Sequence, residues 1–107
     1  MYIHNATIKN EGGRTIKSVI GFEWDNGNKG KNFLKHKIRD EECEEVFFDY
    51  KKKIFIDKIH SGKEERYILI GKTKKQKLTF LVFTIRKNKI RVISARDLNK
   101  REHKLYE

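Results

Sequence analysis

Hydrophobic and polar positions alternate most cleanly in the last third of the chain. Lys77 to Arg86 reads KLTFLVFTIR, and Lys89 to Arg96 reads KIRVISAR. Both runs are rich in β-branched and aromatic residues, the composition of strands. Only Lys87-Asn88 lies between them, which predicts a tight hairpin. If the loop is even-numbered, alternation puts Leu81, Phe83, Ile85, Ile90 and Val92 on one face and Val82, Thr84, Arg86, Arg91 and Ile93 on the other. The first is a core face. The second carries a hydroxyl and two guanidiniums on rigid backbone, a placement suited to gripping phosphate bidentately.

Upstream, Ile20 to Trp24 predicts a short strand that ends at Asp25-Asn26-Gly27. Asn28 to Lys37 reads as a short basic helix with Phe33 and Leu34 turned inward. Asp40 to Asp49 predicts a second helix, its acids in the first turns where the helix dipole favours them. Its Cys43, Val46 and Phe47 follow the i, i+3, i+4 spacing of a buried stripe. Lys53 to Lys58 and Glu65 to Gly71 are further strands, with a turn at His60-Ser61-Gly62-Lys63 and a basic loop over Lys72 to Gln76. Leu98 to Tyr106 predicts a closing helix with Asn99 as its N-cap. Residues 1–20 read as an extension that is weakly ordered or forms a loose strand, with a turn signal at Asn10-Glu11-Gly12-Gly13. Residues 21–107 then make one α+β domain: an antiparallel meander sheet with two N-terminal helices packed on one face, and a C-terminal helix. The other sheet face is left for a ligand or partner.

The chain has 107 residues, enough for one modest core. It carries 26 Lys+Arg against 15 Asp+Glu, a formal net charge of +11. Five of the acids (Asp40, Glu41, Glu42, Glu44, Glu45) sit in one segment, so the excess is concentrated elsewhere. Such a surface attracts polyanions, and nucleic acid is the leading candidate. With a single cysteine, Cys43, no intrachain disulfide forms, and no Cys/His cluster has zinc-finger spacing. No apolar run approaches a membrane span, and residues 1–20 lack the apolar core of a signal peptide. A cytoplasmic location, no cofactor and no metal are the expectations.

A set of residues spread along the chain then becomes informative. Phe22-Glu23-Trp24-Asp25, Asn32 with Lys35-His36, Val46-Phe47 and Asp49 form its first half. Glu65-Arg66, Ile70-Gly71, Thr84, Arg86, and Arg91 through Arg96 form its second, with Glu102 and Tyr106 at the end. In order and spacing this pattern resembles the BrnT toxins of type II toxin–antitoxin systems, over Phe22 to Glu107. The chain departs from the pattern at Asn28, where lysine is usual, at Lys37-Ile38, where Gly-Val is usual, and at Asp40, where a hydrophobic residue is common. The resemblance implies a RelE-like fold and a metal-independent ribonuclease that blocks translation. It also implies a partner, a BrnA-like DNA-binding antitoxin that neutralises it in a hetero-oligomer.

RNA supplies its own nucleophile, the 2′-hydroxyl. A metal-free nuclease must accept that proton, neutralise the phosphorane and see the 5′-oxygen protonated. Arg66, Arg86 and Arg91 are the candidates for the charge, with Arg96 behind them, and Thr84, Ser94 and Lys35 as further RNA contacts. His36 is the preferred imidazole, since neighbouring cations favour its neutral form, although a helix-end packing role is as consistent. Glu65 is a second possible base, with an ordinary cross-strand partner as its alternative. Tyr106 stacks on a base, acts as an acid, or packs on the sheet. His4 and His60 read as solvent residues, and His103 as facing water or the antitoxin. The rival to this enzyme is a non-catalytic module that binds RNA or DNA with the same basic face.

Overall fold

A computed structural model describes residues 6–9 and 15–107, with side chains from Val19 onward. The expected turn over residues 10–13, and His4, lie outside the described residues. Ala6–Lys9 (β1) and Thr15–Val19 (β2) pair antiparallel in a two-stranded sheet. Gly21–Phe22 (β3), Lys53–Ile56 (β4), Tyr67–Lys72 (β5), Leu78–Arg86 (β6) and Lys89–Asp97 (β7) form a five-stranded sheet in the order β3-β7-β6-β5-β4. Strands β4 to β7 are the predicted antiparallel meander. The sheet as a whole is mixed, because β3 runs parallel to β7. That corrects the expectation of a purely antiparallel sheet.

Between β3 and β4 lie two helices, α1 (Lys31–His36) and α2 (Asp40–Val46). The chain closes with a 3₁₀ turn (Lys100–Glu102) and α3 (His103–Tyr106). Asn99 caps that turn as expected, its side chain accepting from the Glu102 N–H at 3.0 Å.

The core follows from the alternation. Leu81, Phe83, Ile85, Ile90 and Val92 are all buried on one sheet face, joined by Tyr67, Leu69 and Ile54 from the neighbouring strands. Cys43, Val46 and Phe47 cover them from α2, and the Phe47 ring meets Phe22 and Phe83 edge-on at 5.3 and 5.0 Å. Val19 is buried in the same cluster. Helix α2 sits close to the sheet because Gly71 has no side chain: a Cβ there would lie 2.8 Å from Val46 Cγ1.

Helix α1 behaves differently from its expected role. Phe33 and Leu34 are exposed, and Asn32 is the buried residue. Strand β3 covers β7 only at Lys89 and Ile90, which leaves an open edge beyond. Asn28 Nδ2 donates to Val92 O at 3.1 Å, and Asn32 Oδ1 accepts from the Ala95 N–H at 2.9 Å. Two amide side chains thus replace a missing strand, satisfying backbone groups that burial would otherwise penalise. At the α1–α2 corner Lys37 adopts a left-handed conformation (φ 59°) that glycine takes without strain. There the Asp40 carboxylate accepts from the Gly30 N–H at 3.0 Å.

Candidate nucleic-acid interface

The Lys87-Asn88 turn has both residues at positive φ, 50° and 64°, as a two-residue type I′ hairpin requires. The even loop pairs Thr84 with Arg91 and Arg86 with Lys89 on the second sheet face. A bulge follows: Phe83 pairs with Val92 and Val82 with Ser94, leaving Ile93 over. The extra residue reverses the alternation beyond it. Ala95 therefore turns to the core, while Ser94 and Arg96 point to the second face.

That face has two halves. Across one end runs the row Lys53–Ile70–Phe80–Arg96, covered by the C-terminal segment. Arg96 donates both Nη groups to Glu102 at 2.8 Å and lies 4.0 Å over the Phe80 ring. Tyr106 donates its hydroxyl to Asp49 at 2.6 Å, and Lys53 Nζ reaches Glu107 O. Burial and that bond to a carboxylate push the Tyr106 hydroxyl far above its usual range. Arg96 and Tyr106 are thus engaged in fastening the C-terminus rather than presented to a ligand.

The other half is open. Next comes the row Phe55–Ile68–Val82–Ser94, with Ser94 exposed, then Thr84 opposite Arg91. Alternation places Arg66, immediately before β5, on this same face. Thr84 is buried, and its hydroxyl donates to Glu65 O at 2.8 Å; this corrects its expected role as a phosphate donor.

The hairpin arginines are also engaged. Arg86 holds Glu64 through Nε and through Nη2 at 2.8 Å. Arg91 donates to Glu23 at 2.9 Å and forks onto Asp25 at 2.9 and 3.0 Å. These bonds hold the Asp25 and Glu64 carboxyls below their ordinary range and raise both arginines above theirs. A bare cationic cradle formed by Arg86 and Arg91 is therefore corrected: each guanidinium already carries a carboxylate. Arg66 differs, since its side chain has no hydrogen bond or ion pair among the described residues, although Glu64 lies within range of its field.

The expected acid–base groups do not converge on the arginines. The turn before α1 and the helix itself run beside β7, with Asn28 at Val92 and Asn32 at Ala95. Lys35 and His36, both exposed, follow Asn32 along α1, at the Ala95 end of β7 rather than the Arg91 end. Glu65 sits on the Tyr67 side of the sheet and accepts the Tyr67 hydroxyl at 3.0 Å. Burial and that bond push the Tyr67 hydroxyl up to about 12.

Two groups escaped the sequence. One is His60, whose Nδ1 lies 3.0 Å from the buried Asp57 carboxylate; an Asp three residues before a His in a turn was its only trace. The other is a cavity of about 420 Å³ at the far end of the sheet, lined by Phe48, Tyr50, Lys51, Lys72, Lys74 and Tyr106. Among the described residues no cluster of His, Cys, Asp and Glu is arranged to hold a metal ion, and no helix is long and apolar enough to cross a membrane.

The model of one family, described as the ribonuclease toxin BrnT of type II toxin–antitoxin systems, matches residues 24–102. The chain belongs to the BrnT family. The match begins at Trp24, beside the Glu23–Asp25 fork on Arg91, and ends at Glu102, the partner of Arg96. It thus takes in α1, α2, the meander and every arginine bridge described above except its Glu23 arm. No curated protein matches the chain.

Proposed function

We propose that this BrnT-family chain is a RelE-like endoribonuclease that cuts RNA without a metal ion and so stops translation in the cytoplasm. The observation that carries this reading is Arg66. It is a guanidinium on the open half of the sheet with no carboxylate bonded to it, in a chain of net charge +11. Arg66 is the first phosphate ligand, and Ser94 and Arg91 border the same surface. The 2′-hydroxyl attacks the neighbouring phosphorus, Arg66 neutralises the charge that develops on the equatorial oxygens, and the 5′-oxygen leaves. The products are a 2′,3′-cyclic phosphate and a 5′-hydroxyl. A BrnA-like DNA-binding antitoxin restrains the enzyme by covering this open half, in a toxin–antitoxin hetero-oligomer, and acidic segments on it suit the basic surface.

The test is to incubate the purified chain with RNA in EDTA and analyse the ends. Cyclic-phosphate ends support the reading. Intact RNA, bound with an affinity that falls steeply with salt, replaces it with the non-catalytic binding module. That second reading draws on the carboxylates already seated on Arg86 and Arg91.

A further inference from the structure

The turn between β4 and β5 holds more chemistry than its arginine. Asp57, the residue after β4, is buried, with its side chain 9 % exposed. Its carboxylate accepts from the His60 backbone N–H at 3.2 Å and faces His60 Nδ1 at 3.0 and 3.2 Å. The Asp57 N–H donates to Arg66 O at 2.8 Å, and the Asp57 carbonyl accepts the Ser61 hydroxyl at 2.6 Å. Ser61 Oγ in turn accepts the Arg66 N–H at 2.9 Å. One closed set of bonds therefore fixes the imidazole, the carboxylate and the backbone of Arg66 relative to one another. The imidazole itself is two-thirds exposed. With Nδ1 turned to a carboxylate, the neutral ring carries its proton there, and Nε2 presents its lone pair to solvent. A buried carboxylate that fixes the tautomer and aim of an accessible imidazole is how a general base is held.

We infer that His60 is the general base of the RNA cleavage, with Asp57 as its positioning residue. This rests on the ribonuclease reading and places the base beside Arg66, where His36 does not lie. In the step, His60 Nε2 takes the proton of the 2′-hydroxyl. The 2′-oxygen forms its bond to phosphorus as the bond from phosphorus to the 5′-oxygen breaks. The leaving 5′-oxygen takes a proton from water, and the imidazolium returns its own to solvent, so no proton is consumed.

The test compares the full-length chain with His60→Ala, Asp57→Asn and the double variant in single-turnover cleavage of a short RNA. Binding is measured separately on a 2′-O-methyl RNA, which lacks the nucleophile. The expected result for His60→Ala is a loss of about a hundredfold or more in the cleavage rate with RNA affinity unchanged, and partial recovery with added imidazole. Asp57→Asn slows cleavage too, and the double variant is no slower than His60→Ala alone, because a positioning residue acts only through the group it positions. If Asp57 serves only to shape the turn, its loss adds to that of His60 and overturns the pairing. Full activity of His60→Ala, with the wild-type chain active, overturns the inference alone. No cleavage by the wild-type chain overturns the ribonuclease reading as well.

Discussion

Replacing Glu64 by Gln should release Arg86 to RNA. The bond from Arg86 is the main influence holding the Glu64 carboxyl below its usual range. Glutamine keeps the length and one acceptor oxygen but removes the charge, which leaves Arg86 without its anion. Both side chains are nearly half exposed, at 47 % and 42 %, so solvent screens the pair and folding stability hardly changes. A guanidinium that meets a phosphate displaces about one more condensed counterion, which steepens the dependence of log affinity on log salt by about 0.7 for a single strand. Over a fourfold rise in salt the variant should therefore lose about 2.6-fold more affinity than the wild-type chain, starting from tighter binding at low salt. Fluorescence anisotropy of a labelled 2′-O-methyl RNA, titrated at several salt concentrations, measures both quantities. Parallel salt lines with equal affinity would show that Arg86 does not reach phosphate even when its carboxylate is gone.

Arg66→Ala should lower the cleavage rate about a hundredfold or more in single-turnover assays, the usual effect of removing one preorganised transition-state donor; an active variant would remove Arg66 from the site. Gly71→Ala should destabilise the fold, because its Cβ would lie 2.8 Å from Val46 Cγ1 and 3.3 Å from Val46 O. Overpacking of this kind costs about 1–3 kcal/mol, read as a lowered Tm by circular dichroism, and an unchanged Tm would mean that α2 yields freely. Acid should weaken the fold through Glu102 and Asp49. The Arg96 bond holds Glu102 below its usual 4.5. For Asp49 burial acts upward, but the Tyr106 hydroxyl and the Lys72 and Lys51 amides outweigh it and leave the carboxyl below 3.8. Depressed folded-state values stabilise above the unfolded ones, so the Tm should be level near neutrality and fall as pH drops below about 4.5. Tyr106 has the opposite sign: its raised value stabilises below 10.0, and that contribution is lost as pH climbs past it.

Much of this architecture is legible in the sequence, and the exceptions have physical causes. The hairpin was readable because period-two alternation and a two-residue gap fix both register and facing. The same alternation fails at Ile93, since a bulge adds a residue without changing composition, and the facings of Ala95 and Arg96 depend on it. Helix α2 was readable from Cys43, Val46 and Phe47. Helix α1 misleads because Phe33 and Leu34 look like a buried stripe, while Asn32 is the residue that is buried. The sheet edge it covers needs amides rather than apolar groups, and that need is visible only once β3 is seen to stop at Phe22. Alternation puts Arg86 and Arg91 on the correct face. The partners of these two and of Arg96 could not be read, because Glu102, Glu64, Asp25 and Glu23 lie between 6 and 68 positions from the arginines that folding brings to them, from Arg96–Glu102 to Arg91–Glu23. His60 looked like a solvent residue because burial of Asp57 leaves no mark in the sequence.

The three paired arginines of β6 and β7 share one property. Each joins the sheet to a segment outside it: Arg91 to the stretch carrying Glu23 and Asp25, Arg86 to the turn carrying Glu64, and Arg96 to the C-terminal segment through Glu102. They are fasteners in the free chain, and the turn that Arg86 fastens is the one bearing Asp57, His60 and Arg66. Loss of activity in Arg86→Ala alone therefore does not identify a phosphate ligand, because a loosened turn would slow cleavage just as well. Glu64→Gln separates the two roles. It leaves the guanidinium in place for RNA but weakens its hold on the turn. As a fastener, Arg86 requires that Glu64→Gln bind RNA more tightly and yet cleave it more slowly, while Arg86→Ala cleaves slowly with no gain in binding. A Glu64→Gln chain that both binds more tightly and cleaves faster would mean that the carboxylate only blocks Arg86, and that the turn holds its catalytic groups without it.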